Sequence, residues 1–185
     1  MVIHEMTMEQ CLHALADARL ARLACSNDNQ PYVVPVYLTY YQAGNCLYGF
    51  TSPGQKIDWM RTNPLVCVEV DEMTAHDEWV SVVVTGRFEE LPEIPGDVGG
   101  GLRHQERPRQ IVETTPPWSA ERHPDQSDDE RQRAWNLLQV HPEWWEPCCA
   151  AWVARVNRHV NETYTPIYYK IHIDKITGHR ATQTP

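Results

Sequence analysis

The chain has 185 residues, of which 42% are hydrophobic, and a formal net charge of −9 at pH 7. This length predicts one domain with a substantial hydrophobic core, and the negative charge argues against nucleic acid or an anionic membrane as the main partner. No apolar run approaches the roughly 20 residues that span a bilayer, and the first residues lack the basic and apolar regions of a secretory signal. We therefore expect a cytoplasmic protein.

The six cysteines indicate buried thiols rather than a disulfide framework. Four of them lie within apolar strand or helix patterns, and none of the six belongs to a CxxC pair, which favours reduced thiols. The adjacent residues Cys148 and Cys149 are the exception, and with His141 they could bind zinc. Because a tetrahedral zinc site needs four ligands and no fourth is evident, we predict no metal site.

The N-terminal part of the chain predicts a capped helix followed by a strand. Thr7 and Gln10 have the spacing of a capping box, and apolar residues recur at helical spacing over 8–18. The pattern of residues 19–25 is typical of a strand, and the polar residues 26–29 favour a turn. The predicted helix is therefore short and amphipathic.

Residues 31–41 form a long β-branched and aromatic stretch that is interrupted by Pro35. Because proline cannot donate a hydrogen bond to a ladder, it belongs at a sheet edge, at a bulge, or where something other than a strand lies alongside. Two interpretations stay open, an ordinary edge strand and a strand with a flat ligand against it. A hairpin at 42–45 leads into a return strand at 46–51.

The return strand runs into a loop of small and polar residues that is suited to a phosphate. This loop offers the hydroxyls of Thr51 and Ser52, the flexible Gly54, the amide of Gln55 and the ammonium group of Lys56. Backbone N–H groups at a helix start, hydroxyls and one cation together can hold a phosphate. The chain has only three lysines, and one of them stands here. The alternative is a plain strand-to-helix turn with a solvated lysine.

The next segments complete the pattern of a barrel. After a helix at about 55–62, apolar residues predict strands over 65–70 and 79–91, separated by a polar loop at 71–78. Gly86 inside the second of these strands indicates a bulge or a close backbone approach. Five strands and two helices joined by connections of hairpin length favour a small antiparallel barrel or curled sheet over a βαβ fold.

Residues 92–128 differ in character from the rest of the chain. Six of the 14 prolines lie in this segment, and we interpret it as an insertion or lid without regular structure. A helical segment is expected over 129–156. Alternating residues at 166–176 then predict a sixth strand, followed by a turn at 177–178.

In their order and spacing these segments resemble the FMN-binding split-barrel family, and more closely its pyridoxamine 5'-phosphate oxidase-like branch, which includes nitroimidazole-resistance proteins. The resemblance rests on residues 22–25 with 30–36, 47–56, 63–70, 79–87 and 171–180. It implies a mainly β protein, a six-stranded antiparallel split β-barrel with flanking helices that forms a single domain over 1–185. It also implies a homodimer, with FMN in a cleft that the two subunits share.

The resemblance assigns the flavin contacts to three segments. The second strand would lie along the isoalloxazine, the loop after the return strand would hold the phosphate, and the start of the fifth strand would reach the ring or the ribityl chain. Many oxidases of this family carry an arginine where this chain has Gln55. Arg22 could add a cation to the phosphate or belong to a structural ion pair. The cofactor-binding residues implied are Val34, Pro35, Val36, Tyr37, Phe50, Thr51, Ser52, Gln55, Lys56, Trp79 and Ser81.

The implied activity is oxidation or reduction of a small organic molecule through the flavin, which carries the chemistry. No catalytic residue is identified; His76 and Asp77 are the nearest acid–base candidates, and a solvated loop is the alternative interpretation of that segment. The cofactor could instead be FAD, a deazaflavin, or haem with His159 or His172 as an axial ligand. Two further hypotheses stay open, a non-catalytic flavin- or haem-binding module and a degenerate dimeric barrel without a cofactor.

Overall fold

The computed structural model describes residues 1–92, 128–138 and 167–183. These residues form seven strands, three α-helices and a short 3-10 helix at Gln42–Gly44. In chain order the elements are β1 (Val2–Glu5), α1 (Met8–Asp17), β2 (Leu20–Asn27), β3 (Gln30–Tyr41), β4 (Cys46–Thr51), α2 (Gln55–Thr62), β5 (Leu65–Ala75), β6 (Glu78–Glu90), α3 (Asp128–Leu138) and β7 (Ile167–Thr182).

Six of the strands close into a ring. The sheet runs β1-β7-β4-β3-β2-β5-β6, and an additional pairing of β6 with β7 closes strands β2 to β7 into a barrel. Every pairing is antiparallel. The predicted six-stranded antiparallel barrel is confirmed, and the structure adds the short strand β1, which pairs with the end of β7 from Val2↔Thr182 to Glu5↔His179.

The barrel interior is filled by the residues that alternate inward along each strand, as the period of two requires. Two helices add side chains to the same core, Cys11 and Leu15 from α1 and Ile57 and Met60 from α2. The inward strand residues are Ala21, Leu23, Cys25, Val36, Leu38, Leu47, Val66, Val68, Val70, Val82, Val84, Phe88, Ile167, Tyr169, Ile171 and Ile176.

Helix α1 begins where the capping box predicts. The backbone N–H of Gln10 donates to the Thr7 hydroxyl at 3.3 Å, and the Thr7 N–H donates to Gln10 Oε1 at 2.9 Å, so the two residues satisfy each other's backbone groups. The helix ends at Asp17, one residue before the predicted end.

Two predicted turns are wrong because the strands continue through them. Residues 71–75 belong to β5 and pair with the start of β6, so the expected loop at 71–78 shrinks to a hairpin tip at 76–77. Their polar side chains lie on an exposed ribbon, which resembles a loop in the sequence although its backbone is paired. The expected turn at 177–178 is likewise part of β7, which extends to Thr182.

Gly86 marks the predicted bulge. The β6–β7 register shifts between Thr85 and Gly86. A Cβ atom at Gly86 would lie 2.1 Å from the carbonyl oxygen of His172, so the two backbones approach at a distance that no side chain permits.

Helix α3 covers the outer side of β4 and β7. It begins at Asp128 and ends at Leu138, so it overlaps the start of the predicted helical segment 129–156. Buried residues of α3 and of the strands beneath it form a second apolar cluster, separate from the barrel interior, that contains Cys46, Tyr48, Leu91, Ala134, Leu138 and Tyr168.

Several predictions fall on residues outside the described ranges. These are the insertion or lid at 92–128 beyond Pro92, the helical segment after Leu138, and the side chains of His141, Cys148, Cys149 and His159. In the described ranges, none of the helices is both long and apolar enough to cross a bilayer.

Candidate functional site

The predicted phosphate loop is a strand–turn–helix unit in the structure. Strand β4 ends at Thr51 and α2 begins at Gln55, with Gly54 as its N-cap. The Gly54 carbonyl accepts from the N–H of Ile57 at 2.9 Å and of Asp58 at 3.2 Å. The N–H groups at the very start of the helix point out of its end, where they can receive an anion. A Cβ atom at Gly54 would meet nothing within 4 Å, so the space in front of the loop is open.

The side chains of this loop divide into inward and accessible groups. Thr51 is buried, and its hydroxyl donates to the Ser52 carbonyl at 3.2 Å. Ser52 and Lys56 are half-buried, and Gln55 is exposed. Ser52, Gln55 and Lys56 are therefore the loop side chains best placed to meet a ligand at the mouth of the turn.

Lys56 lies close enough to β2 to influence a buried thiol there. Burial raises the pKa of the Cys25 thiol on β2, and the positive charge of Lys56 opposes that rise. The helix is fixed on this side by the rings of Tyr32 and Trp59, whose centroids are 5.5 Å apart in an edge-on arrangement. The cation is thus held against the barrel at the far end of β2.

Strand β3 is partly an edge. Residues 30–37 pair with β2, whereas pairing with β4 covers only 38–41. Pro35 lies in the part of β3 that has one strand neighbour among the described residues, which accounts for a proline in mid-strand. This arrangement is compatible with an edge strand and equally with a ligand alongside.

The four predicted contacts on β3 point to opposite sides of the sheet. Val36 is buried in the barrel core and the half-buried Val34 packs against that core, so either could reach a ligand only through its backbone. Pro35 is exposed and Tyr37 half-buried on the outer side. Any side-chain contact from this strand to a surface ligand would therefore come from Pro35 and Tyr37.

Phe50 lies under α3 rather than over the loop. Its ring is half-buried against Tyr168, with the centroids 5.2 Å apart, and it packs against the second apolar cluster. Because side chains alternate along β4, Tyr48 and Phe50 face α3 while Leu47 and Thr51 face the barrel interior.

Trp79 and Ser81 lie far from the loop within the same chain. On β7, Tyr168 pairs with Phe50 of β4, and Ala181 pairs with Trp79 of β6. The two positions are 13 residues apart along one strand, a contour of about 40 Å at roughly 3.3 Å per residue. Along β6, Trp79 and Ser81 therefore lie toward the end opposite to Glu90, which pairs with Tyr169 of β7.

Arg22 forms a structural ion-pair network, one of its two predicted roles. Its Nη1 lies 3.0 Å from Glu69 Oε2 and also contacts the Asp71 carboxylate. Hydrogen bonds and charge from Asp71 and Glu69 raise the pKa of Arg22. Ser81 donates to Glu69 Oε1 at 3.1 Å, so the network joins β2, β5 and β6. The sequence did not single out Glu69 or Asp71, because their partner is 47 to 49 residues away.

Exposed apolar side chains lie around this network on the outer face. Leu20, Val33, Leu65 and Met73 have 47%, 58%, 61% and 70% of their surface exposed. The pairings Arg22↔Pro35, Arg22↔Glu69 and Ala24↔Cys67, with the alternation of side chains, place all four on the side of the sheet that carries Arg22. We consider this face a candidate interaction surface.

The candidate acid–base and axial residues occupy other places. His76 is exposed at the tip of the β5–β6 hairpin, and Asp77 accepts from Gln183 Nε2 at 3.2 Å. His172 Nε2 lies 2.6 Å from Glu89 Oε2. Among the described residues, no three His, Cys, Asp or Glu side chains are grouped so as to hold a metal ion.

Comparison with known proteins relates the whole chain to one family. The family model described as pyridoxamine 5'-phosphate oxidase matches residues 7–180. An uncharacterised protein of Rhizobium meliloti (strain 1021) is 37% identical over 181 residues, which cover 98% of this chain and 97% of that protein. The crystal structure of an FAD-binding protein from Mesorhizobium loti is 32% identical, with a TM-score of 0.64 and 99% of both chains covered.

A more distant structure shares the fold. The FAD-binding protein from Mycobacterium smegmatis is 14% identical, with a TM-score of 0.52, and the match covers 98% of this chain and 100% of that chain. At this identity the likeness concerns the arrangement of strands and helices alone.

Proposed function

Because the chain belongs to the pyridoxamine 5'-phosphate oxidase family, we propose that it is a flavin-dependent oxidoreductase that acts on a small organic molecule. The observation that carries this proposal is the open turn between β4 and α2. It combines the start of a helix, the Ser52 hydroxyl, the Gln55 amide and the half-buried cation of Lys56, and these groups suit a flavin phosphate.

In this proposal the flavin would supply the redox chemistry, and the protein would bind and orient it. Ser52, Gln55 and Lys56 would hold the phosphate, with Lys56 neutralising part of its charge. Pro35 and Tyr37 would line the ring from the outer side of β3. Asp58, in the first turn of α2, is the carboxylate nearest in sequence to the loop and lies 3.8 Å from Arg61, and we assign no catalytic acid or base.

FMN is the flavin that we propose, and FAD is the alternative that has specific support. The 32%-identical protein from Mesorhizobium loti is described as FAD-binding, and FAD contains the same phosphate and isoalloxazine groups as FMN. A deazaflavin would use the same loop. Haem has less support, since the Nε2 atom of His172, the axial candidate in the described ranges, contacts Glu89 at 2.6 Å.

We also propose that the protein is a homodimer whose partner completes the flavin site. Trp79 and Ser81 lie about 40 Å of strand contour from the phosphate loop of their own chain. A second copy on the outer face could present its Trp79 and Ser81 to the first copy's loop, because in a two-fold interface residue i of one subunit contacts residue j of the other, and j contacts i. The exposed Val33, Leu65 and Met73 would be buried in the same step.

The first experiment is an absorbance spectrum of the purified protein, followed by heat release and chromatographic identification of the ligand. Released FMN or FAD at about one per chain supports the proposal and identifies the flavin that binds. Lys56→Ala should then lower flavin occupancy, and Lys175→Ala, an exposed lysine on β7, serves as the matched control. Absence of a flavin even after incubation with excess FMN and FAD would overturn the cofactor assignment.

The shared site is tested by mixing two defective variants. A Lys56→Ala chain and a Trp79→Ala chain would each bind flavin weakly alone, yet a mixed dimer would contain one intact site and one doubly defective site. Random reassortment of equal amounts should restore about a quarter of all sites. If the mixture binds no more flavin than its components, Trp79 does not act across the interface.

A further inference from the structure

Helix α3 rests on the barrel through a small apolar contact. Of its described side chains only Ala134 and Leu138 are fully buried, and Trp135 and Leu137 are partly so. They pack against Tyr48, Leu91 and Tyr168 in the second apolar cluster. The barrel strands, in contrast, are held by backbone ladders to their neighbours. An element with few buried contacts is expected to open at a lower free energy than the rest of the protein.

Among the polar contacts of α3, Glu130 binds two residues of the barrel, and Arg131 Nη1 donates to the Pro92 carbonyl at 3.4 Å. Lys170 Nζ on β7 lies 2.9 Å from Glu130 Oε1 and 3.0 Å from Oε2, and the Tyr48 hydroxyl on β4 donates to Oε1 at 3.1 Å. The Lys170 side chain is only 12% exposed and Tyr48 is 1% exposed. A single carboxylate from the helix therefore satisfies two buried donors of the barrel.

The neighbours of Glu130 show which contacts of the barrel depend on the helix. Glu89 on β6 also contacts Lys170, at 3.2 Å, and His172 at 2.6 Å. If α3 left, Lys170 would keep Glu89, whereas the Tyr48–Glu130 bond would break. Two arginines of α3 near the cluster also stack on aromatic rings, Arg131 over Tyr168 at 4.7 Å and Arg133 over Tyr41 at 5.4 Å. The only thiol beneath the helix in the described ranges is that of Cys46.

We propose that α3 is a detachable strap, residues 128–138, that is held on the barrel by the Glu130 contacts with Lys170 and Tyr48 and opens while the barrel stays folded. Opening the strap uncovers an aromatic surface formed by Tyr41, Tyr48, Phe50 and Tyr168. Phe50 directly precedes Thr51, so this surface borders the loop between β4 and α2. The strap thus gives the fold a second conformation next to its candidate ligand site.

Two buried cysteines can distinguish detachment of the strap from opening of the barrel. Cys46 lies in the cluster beneath the strap and Cys25 lies in the barrel core, and their exposures are nearly equal, at 3% and 4%. Burial raises the pKa of both thiols. Alkylation of the full-length native protein, quantified for each cysteine by peptide mass spectrometry, therefore separates strap opening from barrel opening.

The proposal predicts that Cys46 reacts faster than Cys25 in the unaltered protein. In Glu130→Gln, loss of charge-assisted hydrogen bonds should raise the Cys46 rate by roughly tenfold or more while Cys25 keeps its rate. Gln132→Ala, on the exposed side of the same helix, is the control and should change neither rate. Because the charge of Glu130 itself helps to raise the pKa of Cys46, faster alkylation is assigned to opening only if hydrogen exchange of the peptide that spans 128–138 rises in parallel.

Two outcomes would overturn the proposal that α3 is a detachable strap. Equal rates for Cys46 and Cys25 that rise together in Glu130→Gln would show that the helix leaves only when the barrel unfolds. An unchanged Cys46 rate in Glu130→Gln would show that the carboxylate does not hold the helix. Neither outcome depends on whether a flavin binds, since all measurements use protein freed of ligand.

Discussion

Replacement of Gly86 by alanine tests the closure of the barrel at its tightest point. The new Cβ atom would lie 2.1 Å from the carbonyl oxygen of His172 and 3.0 Å from the Ile171 side chain. The oxygen belongs to the backbone of a paired strand, so relief of the clash requires β6 and β7 to move apart. Overpacking costs about 1–3 kcal/mol in side-chain environments, and a clash with backbone should reach at least the upper end of that range.

Urea denaturation of the ligand-free protein, followed by circular dichroism, measures the effect. We expect Gly86→Ala to lower the free energy of unfolding by about 3 kcal/mol or more and the melting temperature by roughly 6–12 °C. Gly54→Ala is the matched control, since its Cβ would meet nothing within 4 Å, and its effect should stay within about 0.5 kcal/mol. A Gly86→Ala protein within about 0.5 kcal/mol of the parent would refute the described register of β6 on β7.

Three further predictions concern charge and the proposed site. Burial alone would raise the pKa of Glu89, but hydrogen bonds with His172 and Lys170 lower it below its ordinary value of 4.5. The charged carboxylate of Glu89 therefore stabilises the folded protein above that pH, and this stabilisation is lost as pH falls through the lowered pKa. The stability difference between the parent and Glu89→Gln should therefore shrink from about pH 6 to about pH 3 in urea titrations, and a difference that stays constant would show that the carboxylate charge contributes nothing. Gln55→Arg should tighten FMN binding roughly tenfold by fluorescence titration, because it adds a cation at an exposed loop position; unchanged affinity would place the phosphate elsewhere. Val33→Asp should raise the dimer dissociation constant at least about tenfold in sedimentation experiments, since it would bury an unpaired charge; an unaffected dimer would exclude this face as the interface.

The sequence predicted those helices and strands whose patterns lie within a few neighbouring residues. The capping box of Thr7 and Gln10 fixed the start of α1, and alternating apolar residues identified the strands that line the core. Gly86 was interpreted correctly because a glycine in mid-strand usually marks a bulge or a close approach of two backbones. Strand β1 was missed, since its four residues are all exposed and their pairing depends on a strand more than 170 residues away.

The incorrect prediction of a loop at 71–78 and a turn at 177–178 has a physical reason. Residues 71–78 are polar because the β5–β6 ribbon extends beyond the core, and polarity alone does not distinguish a paired, exposed ribbon from a loop. The same holds for residues 177–178, where Gly178 suggests a turn. A Cβ atom at Gly178 would instead lie 2.7 Å from Cys11 Sγ, so this glycine allows α1 to pack closely on β7.

Only the part of the candidate site whose residues are adjacent in sequence could be predicted. Thr51 to Lys56 are adjacent in sequence, so one stretch displays the whole strand–turn–helix unit. Whether Arg22 meets a phosphate or a carboxylate depends on which strand becomes its neighbour, and that neighbour is β5. The packing of Phe50 under α3 was also beyond the sequence, because that helix begins 78 residues later.

The closed barrel also bears on the proposed site between two copies. In the ring of six strands, the β6–β7 and β4–β7 pairings fix the position of Trp79 on β6 relative to the end of β4. These two ladders involve 12 and 6 residue pairs, so their disruption would unfold the barrel. If, as proposed, Trp79 and Lys56 contact the same flavin, their separation along the strands favours their coming from different subunits. The mixed-variant experiment decides this point, because a site within one chain cannot be restored by reassortment.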